Sequence, residues 1–86
     1  MKTITVMTAE EMANELRKRN IVVLGYHEGD DMQDGDVIIT PRIHVQVPNE
    51  HAYGFSVVRE TGDGNFNYSP ELANVDEVVA HIESLI

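Results

Sequence analysis

"DVIITPRIHVQV", residues 36–47, reads as two strands broken by a proline, and its pattern decides the architecture. In the second half Ile43, Val45 and Val47 alternate with Arg42, His44 and Gln46, a period of two that buries one face of a strand and wets the other. Pro41 removes a ladder donor, which predicts a bulge or an edge position beside it.

The flanks extend the same logic. Upstream, "IVVLGYHE" (residues 21–28) is β-branched, apolar and too short for a helix of its own, so it reads as the first main strand. Downstream, "PNEH" makes a turn and "AYGFSVVRE" a further strand with Tyr53, Phe55 and Val57 on one face. "TGDGN" (residues 61–65) has the Asp-Gly chemistry of a hairpin and returns the chain into a short strand around Phe66–Tyr68. The result is an antiparallel meander of three or four main strands, with "TITV" near the start as a candidate extra one.

Helices bracket the sheet. In "TAEEMANELRKR" (residues 8–19) Thr8 and Glu11 form a capping box and Met7 and Met12 a hydrophobic staple. Ala9, Met12, Ala13 and Leu16 make one apolar stripe, acids lead and bases close the helix, and Asn20 suits the position after its end. Near the C-terminus Val75, Val78, Val79, Ile82, Leu85 and Ile86 share a helical face. Its start is either Ser69 with Pro70 at the first helical position or, preferred, a second capping box from Asn74 to Glu77. The fold class is therefore α+β: a single two-layer domain over residues 1–86 in αβββα order, with both helices on one sheet face.

A chain of 86 residues has a modest core, little room for an internal active site, and no cysteine for disulfides, thiolate metal sites or nucleophiles. No run is long and apolar enough to cross a membrane, and the N-terminus lacks a cleavage pattern, so a cytoplasmic, soluble protein is expected. Residues 1–19 hold four bases and three acids, a net +1, whereas residues 20–86 hold two bases and twelve acids, a net −10. Such a surface repels nucleic acid and attracts basic partners.

The densest acidic run is "EGDDMQDGD", residues 28–36. A calcium loop fails by register: with Asp30 first, Met32 and Pro41 fall where oxygen ligands belong. From Asp63 the first ligands fit, but Tyr68 takes the glycine position and Asn74 the last. His27, His44, His51 and His81 show no close ligand spacing, so neither metal nor cofactor is expected. No nucleophile elbow, phosphate-binding loop or desolvated carboxylate pair is present, which argues against an enzyme. Glu28, Asp30, Asp31, Asp34, Asp36 and Asp63 are the candidate contacts to a basic surface; the bland reading of the run is a solvated turn. Apolar residues on both faces of "IVVL", "VII" and "VV" exceed what two helices cover, which suggests a dimer partner, a target, or a second layer on the far face.

The αβββα order over nearly the whole chain is similar to the double-stranded-RNA-binding domain, but that family needs lysines at the start of its second helix, where this chain reads "NVDEVV". The small, cysteine-free, strongly acidic layout also resembles the phage-encoded anti-CRISPR inhibitors, several of which block nucleic-acid surfaces of Cas proteins by acidic mimicry. That resemblance is one of layout and charge without a shared motif, so it assigns no residue. It implies a non-enzymatic inhibitor acting in a bacterial host cell on the basic surface of a nucleic-acid-handling protein. The rival expectation is a small structural module that dimerises through its sheet, with the charge serving solubility.

Overall fold

A computed structural model of the chain describes residues 7–30, 33–48 and 54–86. Helix α1 (Ala9–Lys18) is followed by strands β1 (Gly25–His27), β2 (Gly35–Thr40), β3 (Ile43–Val47), β4 (Ser56–Gly62) and β5 (Asn65–Tyr68), and by helix α2 (Val75–Leu85). The five strands form one antiparallel meander in the order β1-β2-β3-β4-β5. This is the α+β two-layer fold expected from the pattern, with more strands than three or four. The candidate strand "TITV" and Tyr53 lie outside the described residues.

Period-two burial is strict in β2 and β3: Val37, Ile39, Ile43, Val45 and Val47 are buried while their neighbours are partly exposed. Val57 continues this face through its pairing with Val45. Onto it pack Ala9, Met12, Ala13 and Leu16 of α1 and Val75, Val78 and Ile82 of α2. Phe55, at 2% exposure, joins the same core. A register shift between Ile38 and Thr40 places the expected bulge just before Pro41.

The capping box at Thr8 forms in full, while at Asn74 the cap bond forms and Glu77 Oε1 accepts from Ala73 N–H at 2.9 Å. Thr8 Oγ accepts from Glu11 N–H at 3.1 Å and Thr8 N–H donates to Glu11 Oε1 at 2.9 Å. Asn74 Oδ1 accepts from Glu77 N–H at 3.0 Å, whereas Ser69 instead accepts from Val57 N–H, so α2 begins at the second of the two candidate signals.

The first strand is shorter than "IVVLGYHE" suggests, and the helix before it is the reason. Asn20 adopts φ 66°, its N–H reaches Arg17 C=O and Ile21 N–H reaches Leu16 C=O, the paired bonds of a Schellman motif. Ile21 is thereby folded back against the end of α1 and buried, and regular pairing starts only at Gly25. The side chains of Val22 and Leu24 stay exposed, while Leu24 N–H donates to Ile38 C=O of β2 at 2.8 Å.

The face away from the helices carries a row in which Ile38, His44, Val58 and Tyr68 pair in turn across the sheet. The expectation of apolar residues on both faces is met at Ile38, which is half-buried, and at Val58, which is buried outside the cluster that the helices share.

Candidate acidic interface

The antiparallel meander has two ends, and one of them gathers acids without Lys or Arg among the described residues of its loop and strand ends. The connections β1–β2 and β3–β4 lie at one end, and the turns β2–β3 and β4–β5 at the other. The loop 28–34 belongs to the first end.

Glu28 ties that loop to α1. Its Oε1 accepts from Ala9 N–H at 2.9 Å and its Oε2 from Glu10 N–H at 3.2 Å. Thr8 takes Glu11 N–H through its hydroxyl and Met12 N–H through its carbonyl, so the first four amides of α1 all have acceptors. The helix end has no donor left for an external anion. A negative side chain here also complements the helix dipole. Glu28 is thus an organiser of the end, with both oxygens engaged, rather than a group waiting for a partner.

The clamp has a consequence that spacing along the chain does not show. It carries the first turn of α1 to the acidic loop, so Glu10 and Glu11 join Glu28, Asp30, Asp34 and Asp36 at one end of the domain. Asp30 Oδ1 accepts from Gln33 N–H at 2.9 Å and Asp30 N–H donates to Gln33 C=O at 2.9 Å. Asp34 is exposed. Asp36 lies on the uncovered sheet face with His44 Nε2 at 3.6 Å. Asp31 lies outside the described residues.

Asp63 is not part of this group. It sits in the β4–β5 hairpin turn, beside Gly64 at φ 75°, at the opposite end of the sheet. The geometry therefore joins Asp30, Asp34 and Asp36, gives Glu28 a structural task, removes Asp63 and adds Glu10 and Glu11.

Of the described bases only Lys18 approaches the acidic group, lining a shallow depression with Glu11 and Glu15. Arg17 and Lys18 close α1 and Arg19 follows them, a helix length from its N-terminus. Arg42 is in the β2–β3 turn, and Arg59 pairs with Ile43 next to it. Two of these bases are neutralised locally. Arg19 pairs with Asp76, and Lys18 Nζ is 2.9 Å from Glu15 Oε2, whose carboxyl is held below its usual range by that hydrogen bond and charge.

Between α1, the loop and β3 lies an open cleft of about 290 Å³ lined by Thr8, Glu11, Glu28, Gly29, Val47 and Pro48 among others. Its polar side chains are those already engaged in capping. Among the described residues no three His, Asp or Glu side chains converge to hold a metal ion. Ionised carboxylates only accept hydrogen bonds, so the chemistry this end offers is reception of Lys and Arg donors.

Replacing Glu28 by Gln should lower stability by about 0.5–2 kcal/mol, since a charged acceptor at the helix start is lost while its shape is kept. Denaturant titration measures this. A change below the lower figure would mean that water satisfies the two amides equally well.

No helix among the described residues is long and apolar enough to cross a membrane. Comparison with protein-family models, with curated proteins and with solved structures finds no match to the chain.

Proposed function

We propose that the protein is a non-enzymatic inhibitor of phage or mobile-element type. It docks its acidic end on a basic, nucleic-acid-binding surface of a host defence protein, such as a CRISPR-Cas effector, in the cytoplasm of a bacterial cell. The observation that carries this reading is the gathering of Glu10, Glu11, Glu28, Asp30, Asp34 and Asp36 at one end, where the nearest described base, Lys18, is held by Glu15 at 2.9 Å. A field dominated by one sign steers a complementary partner into register and raises its association rate. A charge array that merely kept the chain soluble would have no need of such gathering.

Glu10 and Asp34 are the residues to change, because both are exposed and neither side chain makes an ion pair among the described residues. A partner is retained from a bacterial lysate on the immobilised protein and purified. The double variant Glu10→Lys, Asp34→Lys should then associate with it at least about tenfold more slowly at low salt, with a shallower salt dependence. An unchanged rate and salt slope would overturn the assignment of this end.

A further inference from the structure

The sheet has two open edges, and they differ. Strand β1 is three residues long, and beside it Arg17 Nη2 donates to Val23 C=O at 3.4 Å, so a cation stands at that edge. Short edges and edge cations are the devices that keep strands from pairing with other chains. Strand β5, four residues long, is short too, but no Lys or Arg lies in it. All four of its residues are exposed, Phe66 at 48% and Tyr68 at 61%, and no charge occurs from Gly64 to Pro70.

Its ladder groups can be assigned. Ser69 N–H donates to Val57 C=O at 2.9 Å in the same register that pairs Tyr68 with Val58 and Phe66 with Glu60. Antiparallel alternation then turns the backbone of Asn67 toward β4 and that of Phe66 and Tyr68 outward. The side chains of Phe66 and Tyr68 stand on the sheet face away from the helices, next to Val58.

We propose that β5 pairs antiparallel with β5 of a second copy, about a two-fold axis at Asn67, to give a continuous ten-stranded sheet. Phe66 of each copy then faces Tyr68 of the other as a hydrogen-bonded pair, so both outward residues of each strand are satisfied and two aromatic cross-strand contacts form. The occupant follows from charge. A chain of net charge −9 meets its own copy without setting carboxylate against carboxylate only along a neutral segment, and β5 offers one whose outward groups complement themselves. Asp63 and Glu71 flank the segment and set the repulsion that salt relieves. The contact is small, so the dimer belongs to the weak, reversible class.

Sedimentation equilibrium from about 10 μM to about 1 mM, at low and high salt, tests this. The expected result is a concentration-dependent dimer that tightens as salt rises, the opposite of the salt response expected at the acidic end. Tyr68→Pro removes one outward donor and leaves the bonds to β4, and should weaken dimerisation at least tenfold. Phe66→Asp, at an exposed side chain that leaves every backbone donor in place, should do the same if the proline variant unfolds. A monomer at every concentration, or a dimer indifferent to Phe66→Asp, would overturn the proposal.

Discussion

Phe55→Ala is expected to remove about 3–5 kcal/mol of stability, the usual cost of emptying a large buried aromatic site. At roughly 0.05–0.15 kcal/mol per residue, a domain of this length holds only some 4–13 kcal/mol in all. The loss is therefore a large fraction of the total, from about a quarter of it upward. Phe55 heads the fully buried side chains by volume, and it touches the core shared by both helices and the sheet. Its backbone bridge to Leu72, with both bonds at 2.8 Å, does not depend on the ring, so the loss is one of packing. Guanidinium titration should show a lower midpoint with the slope preserved. A loss under about 1 kcal/mol would mean that the core collapses into the vacated space, contrary to the close packing described.

Gly54→Ala is expected to cost about 2–4 kcal/mol by a different route. A Cβ built at this buried glycine would lie 2.5 Å from the Leu72 carbonyl oxygen and 3.2 Å from its carbon. Those atoms are backbone, held by the Phe55–Leu72 bridge, and have no flexible end to swing away. Relief requires the bridge to open, which frees the connection into α2. The Phe55 and Leu72 amides should exchange with solvent much faster in the variant, while amides of β2 and β3 keep their protection. Gly25→Ala is the internal control, since a Cβ there meets nothing within 4 Å. It should leave stability unchanged or raise it by a few tenths of a kcal/mol. Equal losses at the two glycines would show that the close approach to Leu72 does not govern the cost.

The elements that local chemistry determines were legible in the residues. The alternation of 43–47, the caps at Thr8 and Asn74, the Asn20 terminus and the Asp-Gly hairpin each carry their own geometry, and each forms where its pattern lies. The run 21–24 has strand composition but is used elsewhere: Ile21 seals the end of α1, and that use outweighs its β preference. The acidic site was only half legible. Its loop stands out as a run, but the recruitment of Glu10 and Glu11 depends on a bond between residues 18 or 19 positions apart, and nothing in the local pattern of Glu28 announces it. Asp63 was grouped with the loop by charge alone, whereas the topology of a meander assigns it to the other end. A run of like charges reports its own density, and only the fold reports which other charges share its surface.

Competition with nucleic acid tests the functional account most directly. The partner retained from lysate is titrated with a short RNA or DNA duplex that it binds, in the presence and absence of this protein, at two salt concentrations. The account predicts mutual exclusion: the protein displaces the nucleic acid, added nucleic acid displaces the protein, and the Glu10→Lys, Asp34→Lys variant competes at least about tenfold less well at low salt. A ternary complex in which partner, nucleic acid and protein are bound together, with the variant indistinguishable from the parent chain, would contradict it.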